Sequence, residues 1–137
     1  MEQPQKIFTL EEANRLLSQV TPLVQQLQAL QKSIVKTNTQ LDEAVAKLAQ
    51  GNGYPIQELR KQIHDLTQHQ LYLIEAFHSA LQQLAALGCV LKDMNLGLVD
   101  FYSLRNGEPV FLCWRLGEER IQFWHGLEDG YAGRKPI

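Results

Sequence analysis

The chain has 137 residues, of which 45% are hydrophobic and 20% are charged, and its net charge is -2. These values fit a single globular domain, residues 1–137, without the basic surplus of a nucleic-acid binder or a polybasic membrane-surface protein. Two cysteines outside any CxxC spacing indicate free thiols in a reducing compartment, and the N-terminus lacks the pattern of a signal peptide. We therefore expect a cytoplasmic protein that binds neither nucleic acid nor membrane.

Residues 9–87 are predicted to be helical apart from one break at residues 51–55, where two glycines and a proline interrupt the pattern. Thr9 and Glu12 have the spacing of a capping box at the start of the first helix. Thr21-Pro22 predicts a kink or a very short break within it. Two long helices joined at 51–55 form an antiparallel hairpin.

Each helix carries an apolar stripe in which spacings of four and three alternate, as in a coiled coil. The first stripe is Leu16, Val20, Leu23, Leu27, Leu30, Ile34, Thr37, Leu41, Ala44 and Leu48. The second is Ile56, Leu59, Ile63, Leu66, Gln70, Leu73, Phe77, Ala80, Leu84 and Leu87. Folding back at residues 51–55 brings the polar members Thr37 and Gln70 close together, where a shared polar layer would fix the register; two unrelated tolerated substitutions are the alternative.

Charge is sparse at the end of the hairpin remote from the turn, which we call the base. No residue is charged between Arg15 and Lys32, although a solvated coiled coil normally carries charges on its outer faces. A further apolar stripe on the second helix includes Leu71, Ile74 and His78. We expect a homodimer with an interface that includes these three residues, because exposed apolar patches of this kind are rare on monomers.

After Gly88, a predicted left-handed helix cap, the periodicity changes to two, and the chain is predicted to be β. The strand candidates are residues 89–92, 98–102, 110–115 and 121–125, separated by turn signals. Such a small sheet cannot bury a face alone, so it should pack on the base of the hairpin. The predicted fold class is α+β: a long antiparallel helical hairpin, residues 9–87, with a small antiparallel β-meander and tail, residues 88–137.

The two ends of the chain resemble a bacterial protein family, domain of unknown function 2203. The resemblance rests on FTLEEAN at residues 8–14, CVLKD at 89–93, GLVDF at 97–101, LCWRLGE at 112–118, WH at 124–125 and GYAGR at 130–134. It covers nearly the whole chain, while the central coil has little motif of its own. The resemblance implies a soluble bacterial protein and carries over no catalytic residue.

Four polar residues of the β segment are candidates for a metal or ligand site: Asp93, Asp100, Cys113 and His125. Thiolate, imidazole and carboxylate are ligands of first-row metals, so Zn or Fe is the first expectation if a metal binds. None of the spacings matches a known metal motif. The structural alternative is that Asp93 caps the turn at Gly97, that Asp100 acts as a cap or pairs with Arg115, that Cys113 is a small buried hydrophobe and that His125 closes a strand.

A nucleophilic pair of Cys113 and His125 requires both side chains on one sheet face. A loop of even length around Gly117 places Trp114 and His125 together on an apolar face and Cys113 on the opposite face. A loop of odd length places Cys113 and His125 on the same face. The apolar face favours the even loop, so we expect the sheet to separate the pair and Trp114 to be buried.

These observations favour a non-enzymatic protein that self-associates or binds a protein partner and needs no cofactor. The alternative is a small metal-binding protein or enzyme with its site in the C-terminal β segment. The sequence identifies no substrate.

Overall fold

The computed structural model describes residues 6–137. Its elements, in chain order, are the helices α1 (Leu10–Gln50) and α2 (Ile56–Ala86), and the strands β1 (Val90–Asp93), β2 (Leu98–Arg105), β3 (Glu108–Arg115), β4 (Phe123–Gly126) and β5 (Lys135–Pro136), with a single 3₁₀ turn at Tyr131–Gly133 between the last two strands. This order confirms the α+β class, with two long helices followed by an antiparallel sheet. None of the described helices is long and apolar enough to cross a membrane.

The helix boundaries follow the signals in the sequence. The capping box forms at the start of α1: the Glu12 amide donates to Thr9 Oγ1 at 3.1 Å, and the Thr9 amide donates to Glu12 Oε1 at 3.0 Å. α1 continues through Pro22 without a break. Gly88 ends the second helix region with φ of 94°, as a left-handed cap.

The described residues form two compact parts, and Ala29–Ser79 is one of them. It contains the turn between the helices and most of both coiled-coil stripes. Within it the stripe positions are buried or half-buried, with the exception of Ile56 next to the turn, which is exposed. Thr37 and Gln70 are both buried, and the Gln70 amide nitrogen donates to the carbonyl of Ile34, one turn before Thr37, at 3.0 Å. Gln70 Oε1 is buried without a hydrogen-bond partner among the described residues.

The other part joins the residues up to Gln28 with Ala80–Ile137 and contains the sheet. All five strands are antiparallel neighbours in chain order, so the sheet is a meander, with the short β5 as an additional edge strand that the sequence analysis did not predict. Asn106 and Gly107, both with positive φ, form the two-residue turn between β2 and β3.

One face of the sheet packs on the N-terminal part of α1 and the residues before it. We call this the inner face. Phe8 contacts Phe101 edge-on, with ring centroids 5.3 Å apart, and the Ser103 hydroxyl donates to the carbonyl of Phe8 at 2.6 Å. The Ile121 amide donates to Asn14 Oδ1 at 2.7 Å. The sheet therefore packs at the base of the hairpin, as the sequence predicted.

The predicted pairing of β3 with β4 is wrong by one residue. Phe111 pairs with His125, and Cys113 pairs with Phe123. The connection between the two strands, residues 116–122, has an odd length, so Cys113 and His125 share one face while Trp114 lies on the other, the inner face. Trp114 is nonetheless buried, as expected, with 1% of its surface exposed.

Candidate functional site

Three of the four candidate residues of the β segment meet on the outer face of the sheet, the face opposite Trp114. Asp100 of β2 pairs directly with Cys113 of β3. His125 of β4 pairs with Phe111, which lies two residues before Cys113 and therefore points to the same face. Adjacent strands thus place a carboxylate, a thiol and an imidazole side by side.

The three side chains form a tight, buried cluster. One ligand atom from each of Asp100, Cys113 and His125 lies within 4.8 Å of the other two. Asp100 is 2% exposed, Cys113 1% and His125 4%. Polar groups are costly to bury unless they are paired, so the cluster requires a compensating interaction.

The contacts of the two His125 ring nitrogens indicate where the ring carries a proton. Nδ1 lies 2.8 Å from the carbonyl oxygen of Gly126, and because a carbonyl only accepts, Nδ1 carries a proton. Nε2 lies 3.0 Å from Asp100 Oδ2. In a neutral ring with the proton on Nδ1, Nε2 presents a lone pair toward the carboxylate oxygen. Nε2 and Oδ2 are then both hydrogen-bond acceptors, so a cation must lie between or beside them. That cation is either a proton or a metal ion.

A shared proton satisfies only part of the cluster. It joins Nε2 to Oδ2, whereas Asp100 Oδ1 is buried without a hydrogen-bond partner among the described residues. The Cys113 thiol interacts with the Asp100 carboxylate, but a thiol is a weak donor and compensates only partly for the burial of that carboxylate. A buried carboxylate oxygen with no stronger donor than a thiol is unusual, and an additional ligand would satisfy it.

Cys113 is poorly suited to act as a nucleophile. Burial raises the pKa of its thiol to about 12, and the charge of Asp100 acts in the same direction. The two ring nitrogens of His125 are already directed at Asp100 and Gly126, so no described contact makes the imidazole a base for the thiol. Although Cys113 and His125 share a face, their contacts do not favour cysteine hydrolase chemistry.

The segment after β4 covers the outer face and is tied to β3. Arg134 donates from Nη2 to both carboxylate oxygens of Glu118, at 2.9 and 2.7 Å. Glu118 Oε1 also accepts the Arg115 amide at 2.6 Å, and Arg115 Nη1 donates to the Tyr131 hydroxyl at 3.0 Å. The Arg134 guanidinium lies 4.0 Å from the centre of the Phe123 ring. These contacts hold the segment over the cluster.

A cavity of about 290 Å³ lies beside the cluster, and Asp100, Cys113 and His125 all line it. Its apolar walls are formed by Leu98, Phe111, Leu127 and Tyr131, and Lys92, Asp93, Asp129 and Gly130 complete the lining. The cluster therefore borders a space large enough for a small molecule.

The fourth candidate, Asp93, lines this cavity but is not part of the cluster. Its Oδ1 accepts the Leu96 amide at 2.8 Å and so caps the turn between β1 and β2, as the structural alternative expected. The cavity residues Lys92, Asp129 and Tyr131 were not singled out in the sequence. For Lys92 the available signal was its position in β1, where the alternation of side chains places it on the same sheet face as Asp100. Tyr131 and Asp129 offered no such signal, because they belong to a tail without periodicity.

The residues expected at the dimer interface lie in the C-terminal half of α2. Leu71 is 52% exposed and Ile74 47%, and His78 is also exposed. Their spacing of three and four places them on one helix face. The structure of a single chain places these residues at the surface and leaves the homodimer a prediction.

Comparison with known proteins identifies the family of this chain. No curated protein and no solved structure matches the chain. Residues 6–137 match the family described as uncharacterized conserved protein, DUF2203, in agreement with the resemblance found at both ends of the sequence. Since the match covers almost the entire chain, the protein belongs to the DUF2203 family.

Proposed function

We propose that the protein binds one divalent first-row metal ion, Zn²⁺ in preference to Fe²⁺, through Asp100, Cys113 and His125. The observation that carries this proposal is the buried triad of three different ligand types, in which no strong donor satisfies the second Asp100 oxygen. A metal ion binds all three side chains directly, whereas a proton shared by Nε2 and Oδ2 leaves the thiol only a weak hydrogen bond with Asp100. This is the metal-binding alternative of the sequence analysis, restricted to three of its four residues.

The spacing of the ligand atoms suits a tetrahedral ion after a small adjustment. Bond lengths of Zn²⁺ to nitrogen, oxygen and sulfur imply separations of about 3.4–3.6 Å between neighbouring ligand atoms. The observed separations range from 3.0 Å, between Nε2 and Oδ2, to at most 4.8 Å. Movements of about 1 Å, within reach of side-chain rotation, bring the three atoms to the separations that Zn²⁺ requires.

The hydrogen bond from His125 Nδ1 to the Gly126 carbonyl supports the same assignment. Metal-binding histidines usually donate from the second ring nitrogen to a carbonyl or carboxylate, which fixes the tautomer and leaves the other nitrogen free for the metal. Charge also favours a divalent ion: one carboxylate and one thiolate neutralise it, and the imidazole is uncharged. A neutral assembly is the least costly one to bury in this environment.

The test is metal binding to the purified, metal-stripped chain, measured by competition with a chromophoric chelator. We expect one Zn²⁺ per chain and loss of tight binding in Cys113→Ser. Cys89→Ser is the matched control, because Cys89 is also a buried thiol but lies outside the cluster. Asp93→Asn serves likewise as the control for Asp100→Asn. Binding that is absent, or that survives both cluster substitutions, would contradict the proposal.

Metal binding should also raise the stability of the folded chain. With free Zn²⁺ at 100 times the dissociation constant, the expected gain is about 2.7 kcal/mol. The corresponding rise in melting temperature should be seen in wild type and Cys89→Ser and be absent from Cys113→Ser.

We propose self-association through Leu71, Ile74 and His78 as a second function, with another copy of the chain as the partner. The half-exposed aliphatic side chains of Leu71 and Ile74 support it, together with the neighbouring Tyr72, which is also exposed. Ile74→Glu should convert a dimer to a monomer in sedimentation velocity. Val45→Glu, at an equally exposed aliphatic position of α1, should leave the dimer intact. A wild-type chain that is monomeric at high micromolar concentration would refute this second proposal.

A further inference from the structure

The cavity beside the cluster has a lining that is specific enough to suggest a ligand class. Leu98, Phe111, Leu127 and Tyr131 give it apolar walls, and the three residues of the metal cluster line the same space. A pocket with mostly apolar walls and a few convergent polar groups is the usual form of a small-molecule site.

The protein ligands leave a metal ion incompletely coordinated. Among residues 6–137, the cluster consists of three ligand side chains. Zn²⁺ takes four ligands, and sites with three protein ligands usually keep the fourth position for water or substrate. Since all three side chains border the cavity, the cavity is the direction from which a fourth ligand can approach.

The other acidic groups of the lining are already engaged. Asp93 Oδ1 accepts the Leu96 amide, and Asp129 Oδ2 accepts the Gly126 amide at 3.2 Å. Both are therefore occupied in holding turns, while their charge disfavours polyanions such as phosphate esters. Lys92, whose ammonium lies 5.1 Å from the centre of the Phe111 ring, is the cation of the described lining and offers a partner for a single negative charge.

The volume indicates how large a ligand body the cavity can enclose. An apolar cavity of about 150 Å³ is known to hold benzene in another protein. The cavity here, about 290 Å³, is roughly twice as large and has room for a benzene-sized body with a short polar head group.

From these observations, and resting on the proposed metal site, we infer that the cavity binds a small molecule with an aromatic or branched apolar body and an oxygen-donor head group of at most one negative charge. The head group takes the open coordination position of the metal, and the body lies against Phe111, Leu127 and Tyr131. The ligand exchanges with water at the metal without any covalent step.

The test uses the Co²⁺-substituted protein, whose visible absorption reports changes in metal coordination, and two probes with the same head group. Benzohydroxamate carries an aromatic ring where acetohydroxamate carries a methyl group. We expect both to change the Co²⁺ spectrum, with benzohydroxamate half-saturating at a concentration at least tenfold lower, since it buries more apolar surface.

Leu127→Glu should remove most of that difference, because it places a charge in the apolar wall, while Co²⁺ binding itself stays intact. Leu127 is half-exposed, so the substitution is compatible with folding. Leu96→Glu is the matched control, since Leu96 is also exposed but does not line the cavity, and it should preserve the preference.

The outcomes separate the two proposals. If Co²⁺ binds but neither hydroxamate alters its spectrum, the metal site stands and the open position is refuted. Equal affinities for the two probes, or a preference that survives Leu127→Glu, would refute the apolar subsite. Failure of Co²⁺ to bind at all would overturn the metal site and this inference together.

Discussion

Trp114 gives the most quantitative test of how the sheet is packed. Its ring is 1% exposed on the inner face, and its indole nitrogen donates to the carbonyl of Glu118 at 2.9 Å. Truncating a buried tryptophan to alanine costs about 3–5 kcal/mol through lost burial and the cavity left behind. Since domains are stable by about 5–15 kcal/mol, Trp114→Ala should remove a large fraction of the stability of the sheet-containing part.

Two further variants separate the contributions. Trp114→Phe keeps most of the apolar volume but leaves the Glu118 carbonyl without its donor, so we expect a loss of about 1–3 kcal/mol. Trp124→Ala is the matched control, because Trp124 lies on the same face but is only half-buried. Its contacts with Arg105 and Lys135 are partly exposed cation–π contacts, each contributing about 0.5–1 kcal/mol.

The assay is urea unfolding monitored by tryptophan fluorescence. Each variant retains one tryptophan, which reports on the sheet-containing part. With a slope of about 2 kcal/mol per molar urea, Trp114→Ala should lower the midpoint by roughly 2 M. Trp124→Ala should lower it by less than half as much. Equal effects of the two alanine variants, or an unchanged midpoint for Trp114→Ala, would refute the assignment of Trp114 to the core.

Three further predictions concern the helices and the thiols. Thr9→Ala should destabilise the chain by about 1 kcal/mol in thermal unfolding, because α1 loses the hydroxyl that caps it; an unchanged melting temperature would contradict a stabilising cap. Replacing Thr37 and Gln70 together by leucine should raise the melting temperature, because an unpaired buried amide oxygen is removed, and should loosen register or oligomeric state; unchanged stability would argue against a buried polar layer. Cys89 and Cys113 should both resist iodoacetamide at pH 8 in the native metal-free protein and react in denaturant, because burial raises their pKa values to about 11 and about 12; rapid native labelling of either would contradict its burial.

The helices were predictable because their signals are local and mutually consistent. Gly51, Gly53 and Pro55 interrupt the helical pattern, and α1 ends at Gln50 while α2 begins at Ile56. The alternation of three and four identified the packed faces, since an amphipathic helix has one apolar stripe to bury.

The pairing of Asp100 with Cys113 was within reach of the sequence. Asn106-Gly107 is the strongest short-range hairpin signal, and a two-residue turn at that point fixes the register of β2 against β3. Counting outward from Arg105 paired with Glu108 places Asp100 opposite Cys113.

The position of His125 could not be obtained in the same way. Its register depends on the connection 116–122, and the sequence favours the register that collects the most apolar residues on one face. That criterion fails here because β3 is buried on both faces from Val110 to Trp114, with the C-terminal segment covering the outer side. Where both faces are buried, alternation no longer distinguishes one register from the next. The cluster of Asp100, Cys113 and His125 therefore emerges only with the three-dimensional pairing.

The central claim, that Asp100, Cys113 and His125 hold a metal ion, is tested most directly by X-ray absorption at the zinc edge of the Zn²⁺-loaded protein. We predict a coordination shell with one sulfur at about 2.3 Å and two or three nitrogen or oxygen ligands at about 2.0–2.2 Å. The sulfur should disappear in Cys113→Ser and persist in Cys89→Ser. A shell of nitrogen and oxygen alone in the wild-type protein, or sulfur that persists in Cys113→Ser, would contradict the account.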